Sequence, residues 1–161
     1  MAEPVCIFCK GDNELYVAIR GNKVVLATAN PEDESQHWFK DQRGTGNVTD
    51  DDGHRPFALV NKATGQALVN KHRPRPEDDL TPVQLAPYNG SQRVDLSMLW
   101  TEGDDLGGGY RELRALRDVT KTLNGLWGNV KDGTEVGICP SYPTDVNALW
   151  RMAPVGYNKD I

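Results

Sequence analysis

The chain of 161 residues has no long hydrophobic run: nothing in it approaches the ~20 consecutive apolar residues of a membrane-spanning helix, so membrane insertion is not expected. Met1-Ala2-Glu3-Pro4 is followed by neither a basic segment nor an extended apolar core, and no signal peptide is read there. Cysteine is scarce. The three present are an odd number without a secretory context, which favours a reducing cytoplasm or nucleus over a disulfide framework. Concentrated positive charge is missing as well: 18 Lys and Arg are scattered among 23 Asp and Glu, for a net charge of −5, so a surface for nucleic-acid phosphates is not expected. Long helices are excluded by ten prolines and 16 glycines spread along the whole length, and no segment keeps a 3.6-residue apolar period over three turns.

The chemistry of an active site is equally hard to find. His37, His54 and His72 stand in no recognisable catalytic context, and nothing singles out two carboxylates as a glycosidase pair. Cys6-Ile7-Phe8-Cys9 has the C-x-x-C form, but Cys139 and the three histidines supply no second ligand pair for a metal. A redox dithiol belongs at a helix N-terminus, whereas Val5–Cys9 reads as an opening strand, so these cysteines are taken as structural. The acidic runs Glu32–Glu34, Asp50–Asp52 and Glu77–Asp79 lie beside Pro, Gly or Asn and read as solvated loops without calcium-loop spacing. Gly107-Gly108-Gly109 lacks a following Gly-Lys-Ser/Thr and reads as a flexible connection, and Arg73-Pro74-Arg75-Pro76 as a proline-stiffened exposed loop. No enzymatic activity, metal or cofactor is expected.

What the chain does have is a repeat. Val24-Val25-Leu26 precedes Trp38, Val83-Gln84-Leu85 precedes Trp100, and Val136-Gly137-Ile138 precedes Trp150, with gaps of 14, 17 and 14 residues. Short β-branched or aromatic runs such as Leu15–Ile19, Phe57–Val60 and Ala67–Val69 end at turn residues, and Asn61–Leu68 reads as a hairpin with Thr64-Gly65 at its turn. Arg117–Asn124 takes the equivalent place in the third copy. Three copies of four strands predict an all-β chain, a single-domain β-trefoil of about twelve strands over residues 1–161, with units roughly 1–52, 53–108 and 109–161. Trp38, Trp100 and Trp150 are the candidates for a core shared about the pseudo-threefold axis.

Gln36-His37-Trp38 and the Val83-Gln84-Leu85 triplet leading to Leu99-Trp100 resemble the ricin B-chain-like lectin repeat. More specifically, Ser35–Asp41, Phe57–Gly65, Leu99–Glu102 and Asp132-Gly133-Thr134 resemble the Euonymus-lectin family of plant proteins, in order over nearly the whole chain. That family includes rice proteins induced by osmotic stress and abscisic acid. The resemblance implies a β-trefoil without enzymatic activity, in the cytoplasm and nucleus, binding mannose- or galactose-containing glycans. Its partners would be glycoproteins, and a homodimer is compatible with it.

In the ricin-like pattern an acid in the first hairpin anchors hydroxyls, an aromatic after the apolar triplet stacks on the sugar, and an amide precedes the final Trp. Unit one has Ala18 and Ala27 at the first two places and keeps only Gln36. Unit two has Val69 or Asn70 at the anchor, Ala86 for the ring with Tyr88 nearby, and Ser97-Met98 before Leu99-Trp100. Unit three has Asn124 at the anchor, Cys139 in place of the ring with Tyr142 shortly after, and Asn147. Resemblance and residues together make Asn124, Trp127, Asp132, Tyr142 and Asn147 the candidate carbohydrate site, although no carboxylate occupies the hairpin anchor. Alternative readings are a non-sugar-binding trefoil serving protein interaction or stress response, and a protease inhibitor inserting the Arg73–Arg75 loop.

Overall fold

The computed structural model describes residues 3–70, 81–90, 94–126 and 128–156. Unit one holds β1 (Val5–Cys9), β2 (Asp12–Arg20), β3 (Lys23–Thr28) and β4 (Trp38–Asp41). Unit two holds β5 (Ala58–Asn61), β6 (Gln66–Val69), β7 (Thr81–Pro82), β8 (Gln84–Pro87) and β9 (Trp100–Glu102). Unit three holds β10 (Leu113–Ala115), β11 (Asp118–Gly125), β12 (Val136–Pro140) and β13 (Trp150–Pro154). The thirteenth strand, against about twelve expected, is two-residue β7, which pairs with β12 through Pro82 and Gly137. Gly137 is required there, because a Cβ on it would lie 2.4 Å from the Thr81 carbonyl oxygen.

The barrel closes through six strands. β13 pairs with β1, β1 meets β4 at Val5 and Trp38, and β4 pairs with β5. Phe57 and Trp100 link β5 to β9, β9 pairs with β10, and Arg111 and Trp150 complete the ring. Closure leaves no free barrel edge. The pairs β2–β3, β6–β8 and β11–β12 stand on this barrel as three hairpins. Together this is a β-trefoil.

The tryptophans fill the axis as their repeat predicts: Trp38, Trp100 and Trp150 are 0%, 0% and 1% exposed. Each indole donates to a carbonyl in the second strand of its own unit, at Val17, Leu68 and Leu123, over 2.9, 3.1 and 3.0 Å. A buried indole N–H needs such an acceptor. The three bonds also show which residues correspond: Ala18, Val69 and Asn124 each follow the accepting residue, so Val69 rather than Asn70 is the positional equivalent of Asn124.

Outside the barrel every unit presents one rung of four residues, one per strand. In unit one these are Arg151, Phe8, Tyr16 and Ala27. In unit two they are Phe39, Val60, Ala67 and Ala86, and in unit three Thr101, Arg114, Thr122 and Cys139. The same backbone therefore carries an aromatic, a small apolar and a polar version of one surface. Cys6 packs on the outer face of β1 and Cys9 in the barrel core, since residues three apart on a strand point to opposite faces.

Candidate functional site

Before each core Trp the chain makes one 3-10 turn, Glu34–Gln36, Leu96–Met98 and Val146–Ala148. An aspartate caps every turn: Asp33, Asp95 and Asp145 accept from the amides of Ser35, Ser97 and Asn147. Such a side-chain acceptor satisfies one of the orphan donors at a helical start. In unit one Gln36 adds a second clamp, donating to the Thr28 carbonyl and accepting from the Asn30 amide, both at 2.9 Å. Gln36 thus ties the end of β3 to its turn, and Met98 and Ala148 stand in its place in the other units.

In unit three the capping aspartate does more. Asn124 is buried at 6% exposure, and its amide nitrogen donates to Asp145 Oδ2 at 3.0 Å and to Cys139 Sγ at 2.9 Å. Asp145 therefore spends Oδ1 on the Asn147 backbone and turns Oδ2 toward Asn124. A carboxylate, absent from the hairpin position in the sequence, thus stands beside Asn124 from the loop before Trp150. Its sequence signal is an Asp five residues before each of the three core tryptophans, visible once the units are aligned on Trp. Burial pushes the Cys139 thiol up, against the lowering effect of the Asn124 amide, so Cys139 stays neutral and sets a small polarisable side chain beside Asn124.

Asn147 lies beside this cluster. Its side-chain oxygen sits where a Cβ on Gly11 would come within 2.3 Å, and its amide nitrogen donates to the Gly128 carbonyl. The loop carrying these groups turns back through an Asp145 amide bond to the Tyr142 carbonyl. The Tyr142 ring is 60% exposed. Below it, Ser141 donates to Glu112, a 1% exposed carboxylate that also accepts from Arg114 at 3.0 Å. The pairing compensates the cost of burying Glu112.

Asp132 is not brought to this cluster. Both of its oxygens accept from Arg20, at 3.0 and 2.8 Å, and Oδ1 also accepts from the Thr28 amide at 2.8 Å. The Arg20 guanidinium foremost, then the Thr28 amide, hold its carboxyl well below the usual carboxylate range. Its contacts join unit three's turn to the β2–β3 hairpin of unit one, alongside amide bonds between Gly133, Thr134 and Leu26. Trp127, the Arg73–Pro76 loop and Glu77–Asp79 lie outside the described residues. The expected solvated run Asp50–Asp52 needs correction at its first residue: the Asp50 side chain is 1% exposed. Its Oδ1 accepts from the Asp52 and His54 amides at 3.0 and 2.8 Å, closing the turn. Ligand atoms of Asp50, Asp52 and His54 lie within 4.8 Å of one another, but Arg114 reaches Asp52 at 3.7 Å and opposes a cation there.

Units one and two keep the capping aspartate but have no counterpart of Asn124 to meet it. The anchors Ala18 and Val69 are buried and apolar, and Ala27 and Ala86, like Cys139, are small and 2% and 8% exposed. No unit has an aromatic ring at the place after the triplet.

No family model matches the chain. The rice protein named ricin B-like lectin R40G3 (Oryza sativa subsp. japonica) is 38% identical over 155 residues, covering 93% of this chain and 72% of that protein. Ricin B-like lectin R40C1 from the same plant is 40% identical, covering 93% of this chain and 42% of that protein. Ricin B-like lectin EULS3 of Arabidopsis thaliana is 39% identical, covering 93% and 47%. The chain thus spans less than half the length of the last two. Among solved structures, the designed threefold-symmetric protein ThreeFoil has a TM-score of 0.71 at 21% identity, covering 93% of this chain and 97% of that one. The ricin B-like lectin of Macrolepiota procera, solved in complex with lactose, has 0.71 at 12%, covering 94% and 95%. At these identities the two structures show the fold alone.

Proposed function

The chain belongs to the ricin B-like lectin family, and from that premise we propose that it binds mannose- or galactose-containing glycans of glycoproteins, reversibly and without catalysis, through unit three. The observation that carries this reading is the carboxylate Asp145 Oδ2, 3.0 Å from the Asn124 amide, on the loop that also presents the Tyr142 ring and Asn147. Tyr142 would lie against the apolar face of a pyranose, Asp145 would accept from sugar hydroxyls, and Asn147 would add an amide contact. Asn124 acts one step back, aiming Asp145. The place after the triplet holds Cys139 instead of a large ring, so among the described residues Tyr142 is the aromatic that offers stacking, and single sugars should bind weakly. The names of the relatives support the lectin reading, while the sugar, the third-unit site and a role under stress are inferences for this chain. Cys6 and Cys9, on opposite faces of β1, suit a reducing compartment, and we assign the protein to cytoplasm and nucleus.

A glycan array tests the reading. Binding to mannosylated or galactosylated probes is expected, and Tyr142→Ala should abolish it with thermal stability nearly unchanged. Absence of binding to every such probe would favour the second reading, a non-sugar-binding interaction module, for which the 6% exposure of Asn124 and its internal donation speak.

A further inference from the structure

The outer rung of unit one is full. Phe8 stacks on Tyr16 with ring centroids 5.6 Å apart, and Tyr110 meets Phe8 edge-on at 6.1 Å. The same strand positions in unit two carry the smaller Val60 and Ala67, which Phe39, Tyr88, Val94 and Leu99 cover in place of a ring stack. Beside this cluster, bordered by Val60, is a cleft of about 440 Å³ lined by Phe39, Lys40, Asp41, Gln42, Arg43, Arg55 and Tyr88. That volume lies within the usual range for small-molecule sites, roughly 300 to 1,000 Å³.

The lining is cationic although the chain is not. Lys40, Arg43 and Arg55 face a single carboxylate, Asp41, in a protein of net charge −5. Two of the cations are spoken for. Arg43 is forked onto Asp41, Nε to Oδ1 at 3.0 Å and Nη2 to Oδ2 at 2.8 Å, and Lys40 reaches Glu102 at 2.6 Å. Arg55 is different: its guanidinium touches only the Gln42 carbonyl, at 3.5 Å, and no carboxylate pairs with it among the described residues. The buried Tyr88 hydroxyl lies beside Asp41, and burial, then that carboxylate, push it up to about 12. Gly90 closes the back, since a Cβ there would come within 2.9 Å of Arg43 Nη2 and 3.2 Å of Tyr88 Cε1.

We propose that this cleft is a second saccharide subsite, selective for a uronic-acid residue whose carboxylate pairs with Arg55 and whose apolar ring face lies against Phe39 and Tyr88. An unpaired guanidinium presents the planar fork that matches a carboxylate in two parallel hydrogen bonds, and aromatic walls match a pyranose face. A neutral sugar would meet the walls and leave Arg55 unpaired. The subsite rests on the lectin reading for its class of ligand, but shares no residue with the unit-three site.

The test is calorimetric titration of the full chain with a galacturonic acid disaccharide and with galactobiose, its neutral counterpart. The acidic sugar should bind at least tenfold tighter at the cleft, with an affinity that falls as salt rises. Arg55→Gln, at an exposed position, should remove that preference, and Val60→Phe, which sets unit one's ring into the cleft, should abolish binding of the acidic sugar. Tyr142→Ala should leave it unchanged. Equal affinity for both sugars, or loss of uronate binding in Tyr142→Ala but not in Arg55→Gln, would overturn the subsite. Neutral-glycan binding that depends on Tyr142 while the uronate fails to bind would overturn the subsite and leave the lectin reading standing.

Discussion

The outer faces of units one and two share one backbone rung and come to opposite ends. Phe8 and Tyr16 close unit one with their own rings, whereas the smaller Val60 and Ala67 of unit two are covered by Phe39 and Tyr88, which with the polar loop after β4 also border a cleft. Unit three takes a third course, with Arg114, Thr122 and Cys139 on the rung and a buried Glu112 beneath. A pseudo-threefold fold repeats its barrel because the core must close, but each outer face answers only to its own side chains. Sites can therefore arise, fill or move from unit to unit at little cost to the framework.

The comparison breaks most severely at its filled end. Phe8→Ala should cost about 3 to 5 kcal/mol, the usual loss for emptying a buried aromatic site, as read by urea denaturation. Its counterpart Val60→Phe enlarges a side chain that is only 8% exposed, and should cost about 1 to 3 kcal/mol. A comparable or smaller effect belongs to the carboxylate of unit three: Asp145→Ala removes the turn cap and leaves the buried Asn124 amide nitrogen only the Cys139 sulfur to donate to, for a loss of about 1 to 2 kcal/mol together with loss of glycan binding. Asp33→Ala, the same cap without an Asn124 equivalent, should cost less in the same assay.

Acid titration separates the units by charge. Asp132 has a depressed carboxyl pKa in the folded chain, so its contribution is present above the unfolded value of about 3.9 and is lost as pH falls below that toward the folded value. Asp132→Asn should flatten the fall of the melting temperature in that acid window and leave the neutral-pH glycan affinity of unit three unaltered. Tyr142→Ala comes last, with a stability change inside about 0.5 kcal/mol, as for an exposed residue, against a loss of glycan binding on the array. A large loss of stability would show that the ring packs rather than presents.

Much of the framework was legible. Apolar triplets, turn residues and tryptophans at similar intervals specify strands and their copies through local chemistry, and the three buried indoles make equivalent hydrogen bonds. The site was legible only in part. Asn124, Tyr142 and Asn147 were identified by position, and the structure sets Asn124 beside Asp145 and both Tyr142 and Asn147 on the Asp145 loop. Asp132 was chosen as an acid able to reach the site from the adjoining loop, whereas its carboxylate is held by Arg20 and Thr28, over a hundred residues away in sequence. Asp145 went unnoticed because a capping aspartate in a loop looks like any solvated acid until its second oxygen finds Asn124. Asp50 was misjudged for a related reason: its neighbours in sequence are exposed, while its own carboxylate folds inward onto two amides.

By itself the sequence determined the periodic framework, because strand alternation, turn chemistry and one large residue per unit act over distances of a few residues. Only the tertiary structure decided which acids are free, which are stapled and which outer face is open. Those properties depend on which side chains from distant strands share a rung, and on whether their summed volume fills it.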